Sequence, residues 1–295
     1  MAYELWISPQ TGYRRRGTSV SELRALFERG VTARVIAEPL RCCRTTDSAE
    51  EVRAELARLD FDVAGVLEPE STRVIGWVAR ESLQEGTCGA SAVSFAPYEL
   101  ISDSTPLVQL IQILAEAERV YVVERHGVSG IVTRADLQKP PIRTLLFGLI
   151  SLLEMHLTYW VGQLFPNDTW RECLSEQRLA KVRDLVEARR QRNEDVGELD
   201  CLQLADKREI LVRSRSALEI LGFETKRQAR DTLKDVEKLR DRVAHSQKDV
   251  TVAGAWPELA ATLGSIESLL ERSDVAVARI VAAAAATPLR LVPAV

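Results

Sequence analysis

The first half of the chain contains two stretches in which the same succession of segments occurs. Each stretch has one segment with apolar residues at helical spacing, followed by two short apolar runs whose length and β-branched content are typical of strands. The segments of the first stretch are 49–59, 63–67 and 74–78, and those of the second are 106–118, 120–123 and 128–132. An internal repeat with this order predicts two similar α+β units, at 31–90 and 91–141.

Beyond residue 141 the apolar residues recur at helical spacing. The predicted helices are 142–165, 170–192, 199–221, 226–245 and 256–286. Pro166, Asn167 and Asp168 interrupt the pattern after the first of these helices, and Gly222 stops the third. The pattern therefore predicts an all-α bundle at 142–287, with a basic arm and a short helix at 1–30 before the repeats and a tail at 288–295.

The composition is ordinary for a soluble globular protein, and it limits the chemistry. The 295 residues carry a net charge of -4, so any site for nucleic acid must be a local one. The five cysteines lack the spacing of a disulfide framework or a zinc site, and the three histidines show no metal-ligand spacing. The first residues lack the apolar core of a signal peptide, and together these features predict a cytoplasmic protein without a metal site.

The segment 145–165 is mostly apolar and about as long as a membrane span. Glu154, His156 and Gln163 interrupt it. A charged residue at the centre of a lone span costs about 2.5 kcal/mol or more, so we interpret the segment as a buried helix and predict no membrane partner.

The end of the fourth predicted helix concentrates the candidate chemistry. Four apolar residues recur there at helical spacing: Ala229, Leu233, Val236 and Val243. Arg240 falls inside this stripe, where its guanidinium requires a carboxylate or a phosphate. His245 follows five residues later. The two side chains therefore converge only if the helix ends near Ala244, or if a second copy of the chain supplies the partner group.

The spacing leaves a structural alternative open. Arg240 could pair with Glu237 one turn earlier, and His245 could be a cation at a helix C-terminus. However, Arg240, Asp241 and His245, in that order, resemble the signature of HEPN domains, a family of helical domains of which many cleave RNA. The resemblance rests on this one motif, and asparagine is the commoner residue after the arginine.

The residues GIVTRADL at 130–137 resemble the closing motif of a CBS domain. Two CBS domains usually pack as a pseudo-symmetric pair, which agrees with the repeat at 31–141. The two resemblances together imply the fold class: an α+β tandem CBS-domain pair of βαββα repeats, followed by an all-α helical bundle of HEPN type. In the CBS family the cleft between the repeats often binds adenosyl compounds.

The CBS resemblance also implies ligand roles for individual residues. Asp136 would accept hydrogen bonds from ribose hydroxyls, and Thr133 would lie near phosphate. The full predicted nucleotide-binding set is Thr133, Arg134, Asp136, Ser102 and Asp103. The first repeat has Ala79 and Ser82 at the matching positions, so we expect one adenosyl ligand per chain. The alternative is that Thr133 and Asp136 only cap the helix that follows.

Two functions from different classes follow. In the first, the protein is a homodimeric, metal-independent endoribonuclease in which His245 moves the proton, Arg240 binds the phosphate and Asp241 positions one of them. It requires no cofactor, and an adenine nucleotide or S-adenosylmethionine regulates it through the CBS pair. In the second, the CBS pair senses the nucleotide in a non-catalytic scaffold, whose helical domain dimerises or binds a partner or RNA.

Overall fold

The computed structural model describes residues 6–7, 14–15, 22, 25–26, 30–125, 127–245, 249–251 and 255–286, and of 6–7, 14–15 and 281–286 only the backbone. The predicted arm at 1–30 lies mostly outside the described residues, and the predicted tail at 288–295 lies entirely outside them. Within the arm, strands β1 (Trp6–Ile7) and β2 (Arg14–Arg15) pair antiparallel. The chain divides into two compact units, one of Phe27–Ile142 and one that includes the chain from Arg143 onward, here called the helical unit.

The unit Phe27–Ile142 contains two sheets, and one of them has three strands. Strand β4 (Cys42–Arg44) pairs in parallel with β5 (Val63–Leu67), and β5 pairs antiparallel with β6 (Val74–Ala79). Two parallel strands need a crossover connection, and helix α1 (Ala49–Leu59) provides it between β4 and β5. The side chain of Ser48 caps the start of this helix.

A second sheet has the same order of elements, with one strand added. Strand β7 (Leu100–Ser102) pairs in parallel with β8 (Arg119–Glu124), and β8 pairs antiparallel with β9 (Gly127–Thr133). Helix α2 (Leu107–Glu116) connects β7 to β8, and the short strand β3 (Glu38–Pro39) pairs with the outer side of β9. The predicted helices and longer strands of both repeats are present, and the pattern missed the two- and three-residue strands β3, β4 and β7.

Residues of both sheets form a common apolar cluster. Tyr121 is fully buried in this cluster beside Leu40 and Val63. Its ring lies 4.7 Å from the ring of Phe95 and 6.1 Å from that of Trp77, measured between centroids. Burial raises the pKa of Tyr121 to about 12, so the phenol stays neutral at ordinary pH. Removing these faces from water holds the two sheets together as one unit.

The chain forms an α+β region first and a helical region after it. This order confirms that part of the predicted fold class. In chain order the helices are α3 (Pro140–Leu164), α4 (Glu176–Arg190), α5 (Leu204–Leu211), α6 (Arg215–Leu221), α7 (Lys226–Ala244) and α8 (Trp256–Ala286). The predicted apolar stripe of α7 is buried: Ala229, Leu233, Val236 and Val243, together with Leu239. The apolar stripe therefore forms the packed face of α7.

The predicted helix 170–192 is wrong at its start. Asn167 and Asp168 have left-handed backbone angles, with φ of 54° and 58°, and this kink interrupts the 3-10 turns of residues 166–173. The regular helix α4 begins only at Glu176, where the Ser175 hydroxyl accepts a hydrogen bond from the N–H of Arg178 at 3.3 Å. The capping serine sets the start of the helix more strongly than the apolar pattern does.

The predicted helix 199–221 is also wrong, because it is broken twice. Ser214 starts the new helix α6 by accepting a hydrogen bond from the N–H of Ala217 at 3.2 Å. Asp206, predicted in the middle of a helix, lies in the first turn of α5, where its carboxylate accepts a hydrogen bond from the N–H of Gln203 at 2.8 Å. Polar caps that favour helix starts therefore override the continuous apolar periodicity.

Helix α3 has the length and the composition of a membrane span. Its most apolar window has a mean hydropathy of 1.4, and 56% of that window is buried inside the protein. Leu145, Leu153 and Trp160 are among the residues that are buried completely or almost so. Packing within the protein thus accounts for more than half of the apolar window.

Candidate functional site

The residues predicted to bind a nucleotide do not all lie in one place. Thr133, Arg134 and Asp136 line a cavity of about 560 Å³, here called the Asp136 cavity. Ser102 and Asp103 line a second cavity of about 1240 Å³, here called the Asp103 cleft. Both lie within the unit Phe27–Ile142, and the single predicted set is therefore divided between two sites.

Asp136 is nearly buried, and both of its carboxylate oxygens have partners. Its Oδ2 accepts hydrogen bonds from the backbone N–H of Thr133 at 2.7 Å and from the Thr133 hydroxyl at 3.0 Å. Its Oδ1 lies 2.7 Å from Lys139 Nζ. Arg134 donates to two carbonyl groups at the end of α2, at 2.9 and 3.1 Å. Thr133 and Asp136 therefore make the helix-capping contacts that the sequence offered as the alternative to ligand binding.

Asp103 follows β7, and an arginine holds its carboxylate in place. Arg34 Nε donates to Asp103 Oδ2 at 2.9 Å, and Arg34 Nη2 contacts the same oxygen. The hydrogen bond from the Arg34 guanidinium lowers the pKa of Asp103. The neighbouring Ser102 hydroxyl lies 2.7 Å from that of Ser104. The cleft therefore presents a fixed carboxylate and a hydroxyl, which are groups that hydrogen-bond sugar hydroxyls.

The charges that line the Asp136 cavity are mostly negative. Two arginines, Arg119 and Arg134, line it together with five acidic residues: Glu38, Asp60, Asp62, Glu118 and Asp136. Lys139 offsets part of this charge, since it forms salt bridges with Glu38 and Asp136. Arg80 offsets more of it through salt bridges with Asp60 and Asp62, so the lining keeps only a small acidic excess and suits a phosphate less well than an arginine-lined cleft does.

The charges that line the Asp103 cleft are more favourable to a phosphate. Three arginines line it, Arg34, Arg73 and Arg125, with Asp103 and Glu124 as the acidic residues. Arg73 lies just before β6 and Arg125 just after β8, so the folded hairpins bring them together. Sequence analysis missed the three arginines as a group, because they come from three distant segments of the chain. The cleft can receive a phosphorylated ligand through charge-assisted hydrogen bonds.

In the helical unit, Arg240 has two carboxylate partners within its own chain. Its Nε lies 3.4 Å from Glu154 Oε1 on α3, and its Nη1 donates to Asp241 Oδ1 at 2.9 Å. The side chain remains 33% exposed. The alternative pairing with Glu237 is wrong, because Glu237 forms its salt bridge with Arg208. The carboxylate that Arg240 requires is therefore supplied by its own chain, and sequence analysis did not identify Glu154 as that partner.

Helix α7 ends at Ala244, and His245 follows it in an extended conformation with φ of -103° and ψ of 101°. The His245 residue is exposed. Arg143 Nη1 donates to the carbonyl oxygens of Arg242 at 3.3 Å and His245 at 3.4 Å. A cation at a helix C-terminus satisfies carbonyls that have no partner within the helix and interacts favourably with the helix dipole. Helix α7 thus ends at Ala244, which meets one of the two conditions under which the sequence allowed the side chains of Arg240 and His245 to converge.

This end of α7 carries groups that can bind an anion and transfer a proton. The Arg240 guanidinium is always charged, and its contact with Glu154 at 3.4 Å is long enough for an incoming phosphate to compete. The His245 imidazole is exposed, and imidazoles commonly act as general acids or bases in proteins. Among the residues that the structure describes, no group of three or more His, Cys, Asp or Glu side chains is arranged to hold a metal ion.

Comparisons with known proteins identify one family and several similar solved structures, each of which covers part of the chain. A protein-family model, CBS domain, matches residues 92–139, and no curated protein sequence matches the chain. A structure of CBSX2 in complex with AMP is 18% identical over 39% of this chain and 98% of its own, with a TM-score of 0.34. A CBS domain protein from Pyrobaculum aerophilum complexed with AMP is 19% identical over 36% of this chain and 90% of its own, with a TM-score of 0.32.

The CBS domains of a transcriptional regulator from Streptococcus pneumoniae are 20% identical over 37% of this chain and 97% of their own, with a TM-score of 0.32. The assignment rests on the family model, which spans β7, α2, β8, β9 and the turn that contains Thr133 and Asp136. Residues 92–139 of this chain are therefore a CBS domain.

Proposed function

We propose that the unit Phe27–Ile142 is a pair of CBS domains that senses an adenine nucleotide and regulates the helical region of the protein. The support for a pair is the order of elements in the two sheets. In each sheet a helix connects two parallel strands, and an antiparallel strand follows. CBS domains typically bind adenosyl ligands, so a regulatory nucleotide is the function that this unit supports best.

The observation that carries this proposal is the set of three arginines around the Asp103 cleft. Arg34, Arg73 and Arg125 would contact the phosphates of the nucleotide, since guanidinium groups bind phosphate oxygens in pairs. Asp103 and Ser102 would accept and donate hydrogen bonds to the ribose hydroxyls. The acidic Asp136 cavity suits a cationic adenosyl compound such as S-adenosylmethionine better than a nucleotide with phosphates.

Calorimetric titration with AMP, ATP and S-adenosylmethionine tests this assignment. A lost charge-assisted hydrogen bond costs roughly 1.5–3 kcal/mol, so Arg73→Ala and Arg125→Ala should each weaken ATP binding by about tenfold or more. Arg58→Ala is the matched control, because Arg58 is exposed on α1, pairs with Glu55 and lies outside the cleft.

Two results would contradict the assignment in different ways. If Asp136→Ala abolishes ATP binding while Arg73→Ala leaves it unchanged, the nucleotide occupies the Asp136 cavity. If none of the three compounds binds the wild-type protein, the unit is a scaffold and not a sensor.

For the helical unit, a second candidate function is metal-independent cleavage of RNA, on the resemblance of Arg240, Asp241 and His245 to the HEPN signature. The observation that favours it is the end of α7 at Ala244, which leaves His245 exposed just past the helix, five residues after a partly exposed Arg240. The ribose 2′-hydroxyl would attack phosphorus and the 5′-oxygen would leave, which gives a 2′,3′-cyclic phosphate and a 5′-hydroxyl.

Each residue of the motif has one role in this reaction. His245 would accept the proton of the 2′-hydroxyl, and Arg240 would stabilise the negative charge that grows on the phosphorane. Asp241, which accepts a hydrogen bond from Arg240 Nη1 at 2.9 Å, would hold the guanidinium in place. In a homodimer, a second His245 would donate the proton that the leaving 5′-oxygen requires.

The assay uses a labelled single-stranded RNA and its all-deoxy counterpart, both in EDTA. The RNA should be cut and the DNA spared, and His245→Ala should lower the rate by roughly a hundredfold to ten-thousandfold. Arg240→Ala should lower both rate and binding, whereas Arg227→Ala, which removes an exposed arginine from the first turn of α7, should change neither. Light scattering must show the same mass for each variant. RNA that binds but is never cut would favour the scaffold function instead.

A further inference from the structure

The helical unit contains a cavity that neither proposed function uses. It has a volume of about 380 Å³ and follows one face of α3 from Ser151 to Gln163. The segment 196–200 and helix α5 close its other side, where Leu199 and Lys207 line it. This volume lies within the range of small-molecule sites in proteins. We call it the Lys207 cavity.

Lys207 is an unusual residue for such a cavity, because its side chain is only 6% exposed. Its ammonium nitrogen lies 3.9 Å from Glu154 Oε2, which is too far for a hydrogen bond. In the part of the chain that the structure describes, Nζ has no acceptor at hydrogen-bonding distance. Burial lowers the pKa of Lys207. Three N–H donors of an almost buried ammonium are therefore left for a group that enters the cavity.

The charged neighbours of Lys207 have partners of their own. Glu154 forms a closer ion pair with Arg240, at 3.4 Å, and Asp200 accepts a hydrogen bond from the N–H of Gly197 at 2.8 Å. Asp206 binds Arg178 through both oxygens, at 2.7 and 2.6 Å. Arg189, which also lines the cavity, donates to Glu194 at 2.7 Å. The chain around the cavity thus engages its other charged groups and leaves the ammonium of Lys207 without a hydrogen bond.

We propose that the Lys207 cavity binds a small organic molecule through an oxyanion, either a carboxylate or a phosphate, which accepts hydrogen bonds from Lys207 Nζ. A negatively charged oxygen is the strongest acceptor for an ammonium and stabilises its charge in a desolvated position. This site is separate from the nucleotide site in the Asp103 cleft, but it shares Glu154 with the proposed RNA-cleaving site, because Glu154 lines the cavity and pairs with Arg240.

The walls of the cavity determine the rest of the ligand. Met155, Tyr159 and Leu199 also line the cavity and give it apolar and aromatic surface. At Gly162 an added Cβ would lie 3.2 Å from Leu199 Cδ2. The absence of a side chain at Gly162 therefore lets Leu199 lie close to α3. An oxyanion attached to a flat apolar body fits such a surface, because the apolar part is removed from water while the anion meets Lys207.

Isothermal titration of the full-length protein with benzoate and with inorganic phosphate tests the proposal. Benzoate carries an oxyanion on an aromatic ring, and phosphate carries the oxyanion alone. The wild type should bind benzoate more tightly than phosphate, and Lys207→Met should weaken the binding of both by at least tenfold. Lys181→Met is the matched control, since Lys181 is an exposed lysine on α4 outside the cavity. Equal binding by wild type and Lys207→Met would overturn the proposal.

A second measurement needs no variant. The wild-type protein is treated briefly with acetic anhydride, with and without saturating benzoate, and acetylation of each lysine is measured by peptide mass spectrometry. Benzoate should protect Lys207 at least threefold and leave Lys181 and Lys234 unchanged. If benzoate gives neither heat nor protection of Lys207, the cavity holds only water and the proposal fails.

Discussion

His156 and Lys207 are both buried titratable residues of the helical unit, and their environments assign them different roles. His156 Nδ1 lies 2.6 Å from the Ser273 hydroxyl, which also accepts a hydrogen bond from Trp160 Nε1 at 2.6 Å. Lys207 instead faces a cavity and lacks a hydrogen bond from the described chain. His156 Nε2 also has no hydrogen-bond partner in the described chain, but its ring is completely buried in the packed core, whereas Lys207 faces an open volume that a ligand can enter.

The His156 environment predicts a loss of stability in acid. Burial lowers the pKa of His156 to about 4, and Asp274, 3.6 Å from Nε2, is too far to form the hydrogen bond that would oppose this shift. Between the unfolded pKa of about 6.5 and the folded value, the unfolded chain binds a proton that the folded chain does not. The stability contributed by neutral His156 is therefore complete above about pH 6.5 and is lost as the pH falls toward 4.

The expected loss is up to about 3 kcal/mol between pH 7 and pH 4, measured by urea denaturation at several pH values. His156→Asn, which keeps a polar atom near Ser273, should flatten this part of the pH dependence. His245→Gln, at an exposed histidine, should leave the slope as it is in the wild type. An unchanged slope in His156→Asn would assign the acid sensitivity to other groups.

At the scale of the elements, polar caps set two helix starts that apolar periodicity misplaced, and Gly222 sets the helix end that the sequence predicted. Ser175 and Ser214 begin α4 and α6, and Gly222 ends α6 with a positive φ of 75°. A side chain at Gly222 would also meet the Arg272 guanidinium, with Nη1 only 1.4 Å from the added carbon. The turn between α6 and α7 therefore needs glycine for its backbone angle, and a larger residue would also displace the Arg272 side chain.

Gly222→Ala is predicted to destabilise the helical unit. The left-handed conformation costs an alanine roughly 1–2 kcal/mol, and the Arg272 side chain must also move. Gly264→Ala is the contrasting variant, because Gly264 lies inside α8 with no atom within 4 Å of the added carbon. It should stabilise the protein by up to about 1 kcal/mol through helix propensity. Guanidinium unfolding of both variants gives the comparison, and equal effects would refute this account of Gly222.

At the scale of the whole molecule, the chain consists of two compact units with different proposed tasks. The unit Phe27–Ile142 holds the Asp103 cleft, and the helical unit holds the Arg240 and His245 motif and the Lys207 cavity. Units with separate cores can unfold in separate steps, and a ligand stabilises the step in which its own site is lost.

Scanning calorimetry should therefore show two transitions, of which ATP raises one. At a concentration one hundred times its Kd, a ligand contributes roughly 2.7 kcal/mol to the stability of the unit that binds it. Arg73→Ala should remove this shift, and His156→Asn should move the other transition. A single transition that ATP raises as a whole would mean that the two units unfold together.

Local periodicity was sufficient to identify much of the architecture. The repeated helix and strands, the α+β region followed by helices, and the buried stripe of α7 all follow from spacing within segments of 5 to 20 residues or so. The CBS motif at 130–137 could be identified from the sequence for the same reason, because its residues are consecutive in the chain. Such features depend on neighbours along the sequence, which a single sequence displays directly.

The tertiary structure decided the sites, because their residues are distant in the sequence. It divided the predicted nucleotide set between two cavities and placed Arg34, Arg73 and Arg125 around one of them. It also gave Arg240 a partner, Glu154, from a different helix, and left Lys207 facing an open volume. Pairing, burial and charge at a site depend on which surfaces pack together, and no periodicity along one chain specifies that packing.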